Sequence, residues 1–430
     1  MLSPDHLTSF TDRGLWETTA APAPETPRLE RDITADVAII GAGFTGLSAA
    51  LHLAQRGARV IVLEAEEIGH GAAGRNVGLV NAGMWIPPDD MVAILGADHG
   101  ERLLQLLSQA PQQVRELIEG HGIQCELERA GTLQCAVGSR GLAIIRERAE
   151  QMLRRGADVE LIDAARTAHL VGGGHYRGAL FDHRTATVQP LAYARGLAQA
   201  ALAAGAGIYT RSRVLAVERA GTRYSLRTSD GSVSAAWIVV ATDAYGKGPW
   251  PEVERELIHL PYFNAATQPL DEDVRKTILP GRQGVADTRI VLSSVRLDRS
   301  GRLIIGSVGA LRGVGGRVHL AWARRAIRRL FPQIGDFRLE SAWHGSIGMT
   351  DTHLPKFHRL APRVFSISGY NGRGIAAGTV FGRLLAELIT GVIAEADMPL
   401  PLTEPGRPAA RSLRTRCYDA GAQLMHFLAR

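Results

Sequence analysis

Apolar residues fall along this chain in short unbroken runs punctuated by glycine, and the first such run sets the frame. Val37-Ala38-Ile39-Ile40 carries no polar side chain, the pattern of a strand buried on both faces of a parallel sheet. Gly41-Ala42-Gly43-Phe44-Thr45-Gly46 follows at once, and Leu47 to Gln55 reads as a helix that Gly57 stops. A second apolar strand, Val60-Ile61-Val62-Leu63, ends on Glu64. Farther along, Val188 to Ala204 predicts a helix, and Arg213 to Glu218, Ile238 to Thr242 and Arg302 to Ser307 predict strands. Val364 to Ser368 predicts another strand, running through Gly369-Tyr370-Asn371-Gly372-Arg373-Gly374 into a helix from Ile375 to Leu388. Residues 1–32 carry Pro22, Pro24 and Pro27 without sustained periodicity and predict an extended surface arm. Leu413 to Leu428 predicts a basic amphipathic helix packed on the body.

A chain of 430 residues exceeds the size at which one core stops growing, so two globular units are expected. The net charge of +6 raises the possibility of a nucleic-acid partner. Its dispersion argues against one: the only lysines are Lys247, Lys276 and Lys356, and the one arginine run, Arg324, Arg325, Arg328 and Arg329, has the spacing of a single solvated helix face. No stretch approaches the roughly 18 apolar residues of a membrane span, and the N-terminus lacks a signal-peptide pattern, so a cytoplasmic protein is expected. Cys125, Cys135 and Cys417 form neither a CxxC pair nor a metal-ligand spacing, and no metal is expected.

The glycine turn carries the first chemistry. In such a strand–turn–helix context the first glycine permits the tight turn, the second lets a pyrophosphate approach the backbone, and the third lets helix pack on strand. Glu64 stands where a carboxylate accepts the ribose hydroxyls of an adenosine and repels a 2′-phosphate, which favours FAD or NAD over NADP. Two further segments favour FAD. The glycine-rich loop from Gly69 to Asn76 can wrap the flavin side of a larger cofactor, and the second glycine turn, Gly369 to Gly374, aims a helix N-terminus at a site where charge gathers on reduction. A nicotinamide-dependent dehydrogenase and a flavin-dependent module acting on nucleic acid remain as alternatives.

These motifs, with Gly74-Arg75-Asn76, Ala342-Trp343-His344-Gly345, Thr350-Asp351 and Leu354-Pro355, occur in an order that resembles the FAD-dependent amine oxidoreductases of the D-amino-acid oxidase, glycine oxidase and sarcosine oxidase superfamily. The resemblance is strongest to the γ-glutamylputrescine oxidoreductase branch. It implies an α/β fold in which a Rossmann-like parallel-sheet FAD domain (33–84, 166–243 and 346–395) is interleaved with an α+β substrate domain (85–165 and 244–345) built on a mainly antiparallel sheet. Residues 396–430 form a tail. It implies FAD contacts from Gly41 to Gly46, Glu64, Ala65, Gly71, Ala72, Arg75, Asn76, Val77, Gly78 and Val214. Further contacts are implied for Ala241, Thr242, Gly345, Gly369, Asn371, Gly372, Arg373, Gly374 and Ile375.

The sequence departs from that pattern in places. Val77 stands where the branch shows a glycine, and Asp243 where Gly or Asn is usual. His344 stands at the sarcosine oxidases' flavin-linking cysteine, which implies non-covalent FAD. Ile304 stands at their oxygen-activating lysine, which leaves molecular oxygen or a quinone as the acceptor. The implied reaction removes hydride from a small amine or amino acid. Arg373, between two glycines, is the candidate to face the flavin or a substrate carboxylate. His344 and His353 are candidates to take the amine proton, and Trp85 and Tyr245 to line the pocket.

Overall fold

The computed structural model describes residues 7–10 and 14–429. One sheet is built around five parallel strands in the order Val364–Ser368, Ser232–Val240, Ile33–Ile40, Val60–Leu63 and Gly207–Tyr209. Lys356–Ala361 is added antiparallel at one edge, and Leu402–Thr403 pairs outside it. The central strands carry β-branched residues on both faces because helices cover one side and a hairpin the other. The helices Phe44–Gln55, Gly374–Ile389 and Pro190–Ala203 share one core with the inner strands.

The second sheet has nine strands. Its centre is the long antiparallel pair Ile258–Pro269 and Leu339–Met349, continued by Arg302–Val308 and Ser293–Leu297. Most of its pairings are antiparallel, as expected of the substrate domain. Helix Val314–Leu330 covers one face, burying Leu320, Ala323 and Ile327 while leaving Arg325, Arg328 and Arg329 exposed.

Three boundaries differ from the sequence expectation. The strands Val159–Asp163 and Gly178–Asp182 are consecutive neighbours in the second sheet, so the chain returns to the FAD domain after residue 182, not at 166. Helix Ala97–Gly120, assigned to the substrate domain, instead buries Leu103, Leu107, Val114 and Ile118 in the core of the parallel-sheet domain. The N-terminal arm runs extended and mostly exposed over residues 21–32, as expected, but its earlier described residues are built into the body. Leu7–Phe10 pairs parallel with Leu339–Met349, and the short helix Gly14–Thr19 buries Leu15 and Trp16. Trp16 packs edge-on against Trp343 at 5.4 Å, and its indole donates to the Asn76 carbonyl at 2.8 Å. Residues 1–6 and 11–13 of that arm lie outside the described residues.

Candidate active site

A cavity of about 920 Å³ runs along the carboxyl ends of the parallel strands and continues beneath the second sheet. Its first part is the glycine turn. A side chain at Gly41, where φ is +107°, would place Cβ 2.7 Å from the Ala241 carbonyl oxygen, and one at Gly46 would stand 2.0 Å from that of Gly41. At Gly43 the only neighbour of such a Cβ is Ala73, 3.9 Å away, so the backbone there lies open to a ligand. Gly41 and Gly46 therefore close the turn, and Gly43 leaves room for phosphate at the start of helix Phe44–Gln55. Helix Gly374–Ile389 lies against this helix, because Gly378 and Gly382 have no side chains; a Cβ at Gly382 would fall 2.5 Å from the Thr45 carbonyl oxygen. Ser48 donates across the contact to the Thr379 carbonyl at 2.7 Å. Two helix N-termini thus converge on one cavity wall.

Glu64 accepts from the Ala42 amide at 2.7 Å through one oxygen and from the Glu66 amide at 2.9 Å through the other. Burial raises its carboxyl above the ordinary range against those amides. A carboxylate so placed on the cavity wall retains lone pairs for a diol. Ala65 and Val214 line the same end, where Arg213 pairs with Glu66 at 2.8 Å.

The loop after the second strand is built by its own polar groups. Asn76 donates to the Ala72 and Ala73 carbonyls at 3.0 and 2.9 Å and accepts from the Gly78 amide at 2.9 Å. Arg75 donates to the carbonyls of His70 at 2.8 Å and His344 at 3.3 Å. Its own carbonyl accepts from Asn264 and from the Trp343 indole, both at 3.0 Å. Gly71, Ala72, Arg75, Asn76 and Val77 line the cavity. Gly78 does not: its φ of +89° and the Val188 carbonyl 2.1 Å from a notional Cβ make it the hinge that turns the chain away. Val77 thus occupies the wall without disturbing the hinge.

At the other end Ala241, Thr242, Gly345, Asn371, Gly372, Gly374 and Ile375 line the cavity. Gly46 and Gly369 act from behind it. Gly369 donates its amide to Asp243 at 2.7 Å and has φ +78°, with no room for a Cβ beside Thr350. Asp243 has φ +42°, and burial raises its carboxyl above the ordinary carboxylate range. Asn371 accepts from the Thr350 amide at 2.9 Å, which locks the second glycine turn to the strand opposite.

The three residues expected to act on substrate separate. His353 lies on the cavity wall, exposed, with φ +56°. His344 does not reach it. Gly345 pairs with Tyr262 and His344 with Phe263 across the strand pair, so pleating sends His344 to the opposite face, where Phe263 stacks on His319. Arg373 does not line the cavity either. Its guanidinium turns back to donate to the Ala82 and Gly83 carbonyls at 3.2 and 3.3 Å and lies 4.2 Å from the Trp85 ring centroid. Burial lowers its pKa to about 9. Arg148 approaches the same segment from the other side, donating to the carbonyls of Met84, at 3.0 Å, and Trp85. The direct role expected of Arg373 gives way to a clamp: two buried cations fix residues 82–85 and present Trp85 to the cavity.

Tyr245 also lines the cavity, and its hydroxyl accepts from the Ser346 amide at 2.9 Å. Sequence reasoning missed Tyr262, the Glu254–His259 pair at 3.0 Å, the Ile290–Leu292 loop and one face of the C-terminal helix. It also missed the roles of Trp16 and Asn264 in holding the Arg75–Asn76 loop.

A glycine cradle, a buried acid at the end of the second strand and a second helix terminus fit the two halves of FAD. The family of FAD dependent oxidoreductases that contains the D-amino-acid oxidases matches residues 36–388, and the chain belongs to it. It is an FAD-dependent oxidoreductase of the amine and amino-acid class, which removes the nicotinamide alternative. The chain is 32% identical over 404 residues to the γ-glutamylputrescine oxidoreductase of Escherichia coli, covering 92% of each chain. It is 31% identical to a probable oxidoreductase OrdL of Rhizobium meliloti, covering 93% of each. Among solved structures, glycine oxidase from Geobacillus kaustophilus superposes with a TM-score of 0.70 at 21% identity, over 84% of this chain and 96% of that one. Among the described residues no helix is long and apolar enough to cross a membrane.

Proposed function

We propose that this enzyme oxidises the C–N bond of a small amine lacking an α-carboxylate, using non-covalently held FAD. The observation that carries the reading is the use made of the arginines on the cavity wall. Arg213 pairs with Glu66 at the ribose end, and Arg75 is engaged by the His70 and His344 carbonyls. Neither is offered as a planar fork to a substrate carboxylate. The chamber beside Gly345 is walled by Trp85, Tyr245, Tyr262 and Ile347, surfaces suited to a neutral amine and its carbon chain. The Escherichia coli relative is named for γ-glutamylputrescine, whose putrescine end is an amine with no carboxylate on the adjacent carbon.

When bound, the flavin supplies a hydride acceptor at N5. The chain's residues supply position and a route for protons. Trp85, held by the Arg148 and Arg373 clamp, and Ile347 press the substrate carbon toward the wall formed by Gly345 and Gly372. His353, on the wall and open to solvent, takes the ammonium proton so that the nitrogen lone pair is free when hydride leaves the adjacent carbon. The resulting iminium is attacked by water and collapses to a carbonyl compound and the released amine or ammonia. Ile304 is fully buried among Leu15, Trp16 and Trp343 and brings no cation to the site, so a quinone is favoured over molecular oxygen as acceptor.

The test is anaerobic bleaching of the flavin by a matched panel of primary amines and their α-carboxylated counterparts. Amines should reduce the enzyme faster at equal concentration. Faster bleaching by the amino acids would overturn the substrate assignment.

A further inference from the structure

The C-terminal helix Arg411–Leu428 lies beyond residues 36–388, the span shared with the family at large, yet it forms part of the cavity wall. Cys417, Gly421 and Met425 recur every four residues on one face, flanked by Tyr418 and Ala422, and all five face the cavity. The helix is held at both ends. Near its C-terminus His426 meets His319 through their Nδ1 atoms at 2.8 Å and Ser307 Oγ through Nε2 at 3.2 Å, and its ring stacks on Trp322 at 4.1 Å. Arg325 donates to the His426 carbonyl at 2.7 Å. At the start, Arg411 donates to the Leu257 carbonyl at 2.7 Å and pairs with Glu254.

Between these anchors sits Gly421. A glycine inside a helix costs about 1 kcal/mol relative to alanine, and no close backbone approach requires it here, since a Cβ built on Gly421 meets nothing within 4 Å. The space it leaves unfilled lies between Tyr418 and Met425, on the cavity side. Tyr262 and the Ile290–Leu292 loop line the same cavity.

We propose that this helix is the wall that reads the distal chain of the substrate, with Gly421 setting the clearance, so that the enzyme accepts amines carrying an extended chain beyond the reacting carbon. This rests on the amine-oxidation reading above and adds a specificity-determining element to it. The reacting end is fixed by the wall at Gly345 and Gly372, and chain length is limited by the helix.

The experiment uses the full-length, FAD-loaded protein and a series of short and long unbranched primary amines. In Gly421→Leu the added side chain enters open space, so the fold is retained and the helix gains propensity. Apparent affinity in anaerobic flavin reduction should shift so that the long-over-short ratio falls by at least about tenfold, the scale of hydrophobic-pocket discrimination. Ala420→Leu, on the exposed outer face of the same helix, should leave that ratio unaltered. A ratio within twofold of the parent in Gly421→Leu, or an equal fall in Ala420→Leu, would overturn the proposal. A second readout does not depend on turnover. Cys417 is exposed whereas Cys125 and Cys135 are buried, so maleimide labels Cys417 first. A long amine that reduces the flavin should slow this labelling and a short one should not; reduction without such protection overturns the wall assignment. Failure of every amine to bleach the flavin refutes instead the amine-oxidation reading.

Discussion

Lowering the pH from 7 to 5 should loosen the C-terminal helix, and the size of the effect follows from its anchor. Burial holds the His319 imidazole down at about 4 and that of His426 at about 3, the latter also opposed by His319 and Arg325. Both rings are therefore neutral when the helix is docked, joined by one hydrogen bond that accommodates a single shared proton. Once the helix lifts, each ring titrates near its ordinary value of about 6.5. A base whose docked pKa is depressed favours the docked state above the undocked value and loses that advantage as pH falls through it. Between pH 7 and 5 each ring contributes up to about 2 kcal/mol to undocking, and since the two are coupled the pair contributes roughly 2 to 4 kcal/mol, about 30- to 1000-fold in the opening equilibrium. Asp419 opposes this in part by favouring the charged form of His319. Hydrogen exchange of the Arg411–Leu428 amides, corrected for the intrinsic pH dependence, reads the equilibrium directly. Protection should fall by that factor in the parent and by far less in a His319→Leu/His426→Phe variant, where a phenyl ring keeps the stack on Trp322. Equal losses in both proteins would show that the histidines do not gate the helix.

Replacing Glu64 by Gln should weaken FAD retention by about 1 to 3 kcal/mol, the cost of one hydrogen bond to a charged acceptor, measured by equilibrium dialysis; unaltered retention would remove Glu64 from the ribose. Arg373→Met loses two charged hydrogen bonds and a cation–π contact but relieves a buried cation, so a stability loss of about 2 to 4 kcal/mol is expected, with apparent amine affinity falling more than the limiting reduction rate. Arg373→Lys should restore part of both, and a large loss of limiting rate at unaltered stability would return Arg373 to the flavin. Asp243→Asn keeps the acceptor for the Gly369 amide while removing a carboxyl whose ionisation burial disfavours. An acid raised in the fold loses stability as pH rises from its unfolded value toward its folded one, so the variant should gain on the parent in melting temperature between pH 4 and 8. A difference independent of pH would contradict the burial argument.

The adenosine end of the site was legible because it is local. Strand, turn, helix and acid lie within some thirty residues, and Gly46 answers to the Gly41 carbonyl inside that unit, although the contact that requires Gly41 comes from Ala241. The direction of Arg373 was not legible, because its partners, the Ala82 and Gly83 carbonyls, are supplied by a loop nearly three hundred residues earlier. His344 shows a different limit: which parity of its strand faces the cavity depends on the register with Ile258–Pro269. The short helix around Trp16 lacked enough turns to show a period. Its one signal was the apolar pair Leu15-Trp16 amid polar neighbours. The C-terminal helix was visible as an amphipathic pattern, but nothing in that pattern said that the face carrying Cys417, Gly421 and Met425 would meet a cavity.

The packing of Gly378 and Gly382 over Thr45 and Ser48 also bears on how the protein is made. Ribosomal synthesis delivers the first glycine turn and Glu64 early, but the strand that sits centrally beside them, Ser232–Val240, emerges much later, and the helix that closes the cradle later still. Contacts so distant in sequence form slowly. A nascent chain halted before residue 374 would carry an adenosine grip without its clasp, with the face of helix Phe44–Gln55 that Gly378 and Gly382 cover left bare to solvent. Secure capture of the cofactor therefore waits until the segment through Ile389 has left the ribosome.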